Sequence, residues 1–261
     1  MEFQFKEKYD VKDLVEIVKI LRSPEGCPWD KVQTHETIRQ DFIEEVYEAA
    51  EAIDEGNREH LKEELGDVLL QVVFHAVLEE EKGNFDFNDT ADDVCKKMIL
   101  RHPHVFGNVK ADTPDEVLEN WDKIKMKSKE QKSVTETMES VSKALPSLMR
   151  AQKLHKKAER GGLLTRKAED IIEDISSELT ELKNSLSEEE KGGFSEEIGD
   201  ILFKMAELAK ALGTESEKSL YNACDRFTER FEKLEKNVGK AGINIQKVSP
   251  DVVRILWENE K

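Results

Sequence analysis

Residues 44–71 read EEVYEAAEAIDEGNREHLKEELGDVLLQ. The stretch is rich in Ala, Leu, Glu and Lys, all strong helix formers, and Gly56-Asn57 interrupts it as a helix stop and turn. So short a turn predicts two helices packed antiparallel. The acidic residues follow a rule. Glu45 and Glu48 are three apart, as are Glu64 and Asp67, so each pair lies on one helix face. Four carboxylates can then converge between the two helices. The pattern also returns 133 residues later: EELGDVLL at 63–70 recurs as EEIGDILF at 196–203, and Glu45 and Glu48 recur as Glu178 and Glu181. Glu48 precedes Glu64 by 16 residues, and Glu181 precedes Glu197 by the same interval, with Asp200 closing the second set.

Further blocks repeat in the same order. Lys97/Arg101 in KMILR matches Arg226/Arg230 in RFTER, each pair four apart on one face. Pro114…Trp121…Lys125 matches Pro250…Trp257…Lys261. One shared block between acidic helices could be chance; four in order indicate duplication. The expectation is two related helical domains, 1–126 and 140–261, joined by a polar linker at 127–139.

Helical periodicity runs through nearly the whole chain. DVKDLVEIVKILR at 10–22 puts Val11, Leu14, Val15, Val18 and Leu21 on one stripe. Helices are expected at about 36–55, 59–82 and 90–101, and from Pro114, where Thr113 and Glu116 have capping-box spacing. In the second half they are expected at about 146–160, 167–185, 194–212, 215–237 and 250–259. No useful strand pattern occurs. The fold class is all-α, two related helical domains with metal sites like those of four-helix bundles.

The chain has 261 residues and a formal net charge of −17. That charge argues against nucleic-acid polymers and anionic membranes as partners. Three cysteines in no metal-binding spacing, no apolar leader at the N-terminus and no apolar run of about 18 residues lead us to expect a cytoplasmic protein outside the membrane.

Four like charges held close need a cation. All-oxygen donors suit Mg²⁺, with Mn²⁺ as a substitute, and Mg²⁺ often completes its shell with substrate phosphates. Lys97, Arg101, Arg226 and Arg230 could neutralise the far side of a polyphosphate, or could be surface ion-pair partners. Trp121 and Trp257 could stack on a base or anchor a helix. Gly66 and Gly199 sit mid-helix at the same place in both copies, where Gly costs ~1 kcal/mol relative to Ala; helix packing and ligand approach both explain this. A di-iron carboxylate bundle needs Glu-x-x-His pairs, and none of the six histidines has Glu three residues before it.

In the first half GCPWDKVQTHETIR, EEVYEAAEAI, EELGDVLLQVVFHA, FDFND, RHPHVFG and ENWDKIK, and in the second RAQKLHKKAERGG, SELTELK, EEIGDILF and DRFTERF, resemble the MazG-type nucleoside triphosphate pyrophosphohydrolases over nearly the whole chain. The resemblance implies an all-α NTP pyrophosphatase fold that dimerises. It implies Mg²⁺ bound through Glu45, Glu48, Glu64 and Asp67, and through Glu178, Glu181, Glu197 and Asp200. The implied reaction converts an NTP and water to an NMP and pyrophosphate. Arg226, Arg230, Trp257 and Lys261, and their counterparts Lys97, Arg101, Trp121 and Lys125, are the implied triphosphate and base contacts. Glu44 or Glu48, with Glu63 a third candidate, would accept the proton of the attacking water; Glu181 is the second-half catalytic counterpart of Glu48. The second half departs from the family pattern twice: Ser177 stands where the first half has Glu44, and GGLLTRK lacks an aromatic. The alternative reading is a nucleotide-binding regulatory or partner-binding scaffold with one or both sites not catalytic.

Overall fold

The computed structural model describes residues 3–128, 130–163, 165–187, 194–240 and 244–259. Every regular element among them is a helix, as the periodicity requires. The chain divides into two compact units, Met1–Lys125 and Met126–Lys261. The first holds α1 (Val11–Arg22), α2 (Arg39–Glu55), α3 (Arg58–Glu80), α4 (Phe87–Arg101), α5 (Pro103–Phe106) and most of α6 (Pro114–Ser128). The second holds α7 (Val134–Glu139), α8 (Ser147–Arg160), α9 (Ala168–Ser187), α10 (Phe194–Ala211), α11 (Ser216–Lys240) and α12 (Pro250–Asn259). Among the described residues no helix is long and apolar enough to cross a membrane.

Local chemistry sets the helix ends. Asp10 accepts from the Asp13 amide at 3.1 Å while Asp13 accepts from the Asp10 amide at 2.9 Å, a capping box that starts α1. Asp86 and Asp89 do the same for α4. Glu116 accepts from the Asp112 and Thr113 amides before α6, and the Thr113 hydroxyl accepts from the Glu116 amide. Gly56 closes α2 at φ 66°, a conformation that favours glycine, and the Asn57 side chain at once caps α3 by accepting from the His60 amide. With stop and start in adjacent residues, α3 folds straight back along α2.

Val18 of α1, Ile38 just before α2, and Val73, Phe74, Val77 and Leu78 of α3 form the first core, flanked by Leu14, Val15, Leu69, Leu70 and Phe87. Val11, the first residue of α1, belongs to its apolar stripe by spacing but is exposed. Arg22 fastens the loop that precedes α2. Its guanidinium pairs with Glu81 at 2.7 and 2.8 Å, donates to the Asp30 and Gln33 carbonyls, and lies 5.2 Å from the Phe74 ring centre.

The second unit repeats the packing order. α1 and α2 pack on α3, and α8 and α9 pack on α10; α4 follows α3 as α11 follows α10. The register is the same 133 residues: Val18 and Ala151, Ile38 and Ile171, and Val73 and Ala206 are all buried. The stretch 127–139 contains the end of α6 and the whole of α7, which packs on α8 and buries Thr137.

Candidate metal and phosphate site

α2 and α3 carry the first acidic set to one place. Carboxylate oxygens of Glu45, Glu48 and Glu64 lie within 4.8 Å of one another. Glu64 is only 8% exposed, so water can screen little of its charge. Asp67 stands one turn further along α3, half-buried and outside that group of three, but its charge reaches both Glu45 and Glu64. Glu44 and Glu63 are exposed beside the cluster. Burial pushes the Glu45 carboxyl up, and the charges of Asp67, Glu48, Glu64 and Glu44 push it further. Burial also raises Glu64, followed by the charge of Glu48, while His60 pulls the other way. The cause is common to both: negative charge is brought together with too little solvent.

The donor chemistry fits a hard divalent cation. The cluster offers carboxylate oxygens from two helices, and the Gln71 Oε1, one turn beyond Asp67, is buried with no hydrogen-bond partner. A cation here would satisfy oxygens that now oppose one another. The Gly66 face settles one question left by the sequence. A Cβ built on Gly66 or on Gly199 would meet nothing within 4 Å. Among the described residues, packing of another helix therefore does not explain these glycines.

The second set is arranged differently. Glu178 of α9 is paired with Lys204 of α10, and Glu181 and Asp200 are exposed. Glu178 Oε2 and Glu197 Oε2 are buried without partners. Among the described residues, no three carboxylates of this unit approach as closely as the first three do. Ser177, in the place of Glu44, is exposed.

The basic and aromatic residues also come together in each unit. Arg101 lies 5.1 Å from the Trp121 ring centre, and the His102 ring packs near-perpendicular to Trp121 with centroids 5.0 Å apart. Arg230 lies 4.0 Å from the Trp257 ring centre and donates to the Trp257 carbonyl. Phe227 packs on Trp257 with centroids 5.1 Å apart. Each tryptophan thus anchors a terminal helix through an arginine while staying partly exposed. Arg101 Nε and Arg230 Nε are buried without acceptors. Lys97 and Arg226 are exposed one turn earlier, and Lys125 is half-buried. Lys261 lies outside the described residues.

Two groups of histidines contact acidic residues of α2 and α3. His60 Nε2 is 3.2 Å from Glu64 Oε1, and His60 Nδ1 is 3.4 Å from Glu55 Oε2. The i,i+4 spacing of His60 and Glu64 was the available signal. His35 and His75 meet at 2.7 Å through their Nδ1 atoms, and His35 Nε2 is 2.6 Å from Glu79 Oε1. Lys82, Asn84 and His35 hold Glu79 down to a pKa of about 2. Glu79 is therefore the acceptor, and His35 donates to it through Nε2. This chain ties the loop before α2 to the α3 stripe that carries Glu64, Asp67 and Gln71. Nothing in local spacing links residues 40 positions apart.

The chain resembles known proteins over most of its length. A family model described as the MazG nucleotide pyrophosphohydrolase domain matches residues 33–106, which include the whole of α2 and α3. The chain is 40% identical over 250 residues to the nucleoside triphosphate pyrophosphohydrolase/pyrophosphatase MazG of Thermotoga maritima, covering 96% of this chain and 95% of that one. It is 37% identical over 253 residues to the nucleoside triphosphate pyrophosphohydrolase of Escherichia coli K12, covering 95% of each. An uncharacterised Bacillus subtilis protein, YabN, is 41% identical over 246 residues, 94% of this chain but half of YabN. Identity of this extent over both units, together with the paired acidic helices, leaves one assignment: the chain belongs to the MazG nucleotide pyrophosphohydrolase family.

Proposed function

We propose that the protein is a Mg²⁺-dependent nucleoside triphosphate pyrophosphohydrolase, converting NTP or dNTP and water to NMP or dNMP and pyrophosphate. The observation that carries this reading is the meeting of Glu45, Glu48 and Glu64 oxygens within 4.8 Å at a half-buried place. The names of the Thermotoga and Escherichia relatives point to the same reaction. Each of two related domains, 1–126 and 140–261, joined through 127–139, carries one site.

In the first domain Glu45, Glu48, Glu64 and Asp67 hold the cation, and Mn²⁺ can replace Mg²⁺ because the donors are hard oxygens. In the second the holders are Glu178, Glu181, Glu197 and Asp200. When bound, such a cation screens phosphate charge and acidifies a water. Glu44 or Glu48, and Glu181 in the second domain, accept the proton as water adds to the α-phosphorus. Lys97, Arg101, Arg226 and Arg230 offset the charge that grows on the departing pyrophosphate. Trp121 and Trp257, with Lys125 and Lys261, border the base.

The exposed apolar residues Val46, Tyr47, Ile53 and Leu65 of α2 and α3 support assembly as a homodimer. Three free cysteines, Cys27, Cys95 and Cys224, accord with a reducing cytoplasm. The second domain has one observation favouring nucleotide binding without cleavage: Lys204 occupies Glu178.

The test is product analysis of the full chain with several NTPs and dNTPs, with and without Mg²⁺, for the parent, E48Q, E181Q and the double variant. NMP and pyrophosphate formed only with metal, and lost in the double variant, is the expected result. NDP and orthophosphate, or full turnover by the double variant, would refute the reading. Turnover that E181Q leaves intact and E48Q abolishes would assign a binding role to the second domain.

A further inference from the structure

The two acidic sets share their ligands but differ in their neighbours. Residue 71 is Gln, and the residue 133 positions on is Lys204. The register between them is secure, because Val73 and Ala206, two residues further along each helix, are both fully buried. Gln71, one turn beyond Asp67 on α3, carries no charge, and its Oε1 is buried and unpartnered. Lys204 adds an ammonium to the second, and that ammonium is already in contact with Glu178. Both members of the pair are about three-quarters buried, at 27% and 24% side-chain exposure, so the contact is shielded from solvent. Only one Glu178 oxygen is engaged; Oε2 is buried and unpartnered, as is Glu197 Oε2. A second exchange adds to the first. Gln33 of the first unit is matched by Arg166, which pairs with Asp174 at 2.6 Å and reaches Glu207 at 3.7 Å across α9 and α10.

We propose that Lys204 is an internal cation that occupies the ligand Glu178 and makes the two metal sites of this chain unequal. Resting on the metal-binding reading above, this makes Lys204 the residue whose charge most directly sets the two sites apart. In the first unit Glu45, Glu48 and Glu64 repel one another, and a divalent cation relieves that repulsion directly. In the second the same cation must displace an ammonium from Glu178 and then stay close to it. Repulsion at that range, added to the loss of a shielded ion pair, corresponds to a factor of about ten or more in affinity. The first site therefore fills at low free metal. The second fills only at high metal, or when the triphosphate brings its own negative charge and gives the Lys204 ammonium another acceptor.

The test is Mn²⁺ titration of the full chain without nucleotide, read by the EPR signal of free Mn²⁺ and by calorimetry. The parent should show one tight and one weak class of site, at least about tenfold apart. K204Q, which installs the first-unit residue, should tighten the weak class alone. Q71K should weaken the tight class alone, and E45Q/E48Q should remove it. K204M keeps the test open if K204Q fails to fold, and circular dichroism checks each variant. Two equal classes in the parent, or a weak class that neither K204Q nor K204M alters, would overturn the proposal while leaving the metal reading intact. No Mn²⁺ bound in either class would instead defeat the metal reading itself.

Discussion

Replacing Glu45 by Gln should stabilise the metal-free protein and destabilise it, relative to the parent, once Mg²⁺ is present. Glu45 and Glu48 have carboxylate oxygens within 4.8 Å. Two unit charges at that separation repel by about 0.9 kcal/mol in water and about 3.5 kcal/mol at an effective dielectric constant of 20. Both residues are half-buried, so water screens the pair in part and the low end, about 1 kcal/mol, is appropriate. For a unit of this size that corresponds to a rise of about 3–5 °C in Tm. The sign with pH follows from the raised Glu45 carboxyl. Its charged form is disfavoured in the fold, so its cost is complete above the raised value and vanishes as pH falls below the ordinary carboxylate range. The advantage of E45Q in EDTA should thus be present at pH 7 and close by about pH 4. Mg²⁺ at a hundred times its Kd should add about 2.7 kcal/mol to the parent, and little to a variant that has lost a ligand. The assay is scanning calorimetry of both proteins in EDTA and in Mg²⁺. If E45Q melts below the parent in EDTA, or gains as much from Mg²⁺, the cluster is not a repulsive site awaiting a cation.

Two further perturbations test other parts of the structure. Ala at Gly66 or Gly199 meets no neighbouring atom, so each change should stabilise its unit by up to about 1 kcal/mol in urea denaturation; a turnover loss despite that gain would mark these faces as ligand-facing, and lost stability would show hidden packing. Glu79 is held to a pKa of about 2 by Lys82 first, then Asn84 and His35. Since its folded value is depressed, its stabilisation is complete above the ordinary 4.5 and is lost as pH falls toward about 2. The urea midpoint of E79Q should lie below the parent's at neutral pH and converge with it near pH 2, and a constant gap across that range would show that the side chain acts by shape alone.

The sequence determined the helical class by itself, because helix periodicity, caps and breakers are local. Thr113–Glu116 forms the box its spacing announces, and Gly56-Asn57 reverses the chain where two incompatible helix ends meet. It also determined which carboxylates share a face, since that is a matter of three- and four-residue intervals, and the 133-residue repeat is a property of the string alone. Only the tertiary structure decided how close the carboxylates come, because that depends on how α2 is pressed onto α3 by Ile38, Val73 and Phe74. It brought His35 to His75 and Glu79, a contact no local rule connects. It set the two acidic patterns apart: their ligands read alike, yet Glu64 is buried among like charges while Glu178 faces Lys204. Spacing fixes which side chains share a helix face; the packing of helices fixes what each face meets, and the electrostatics of the two sites follow from what they meet.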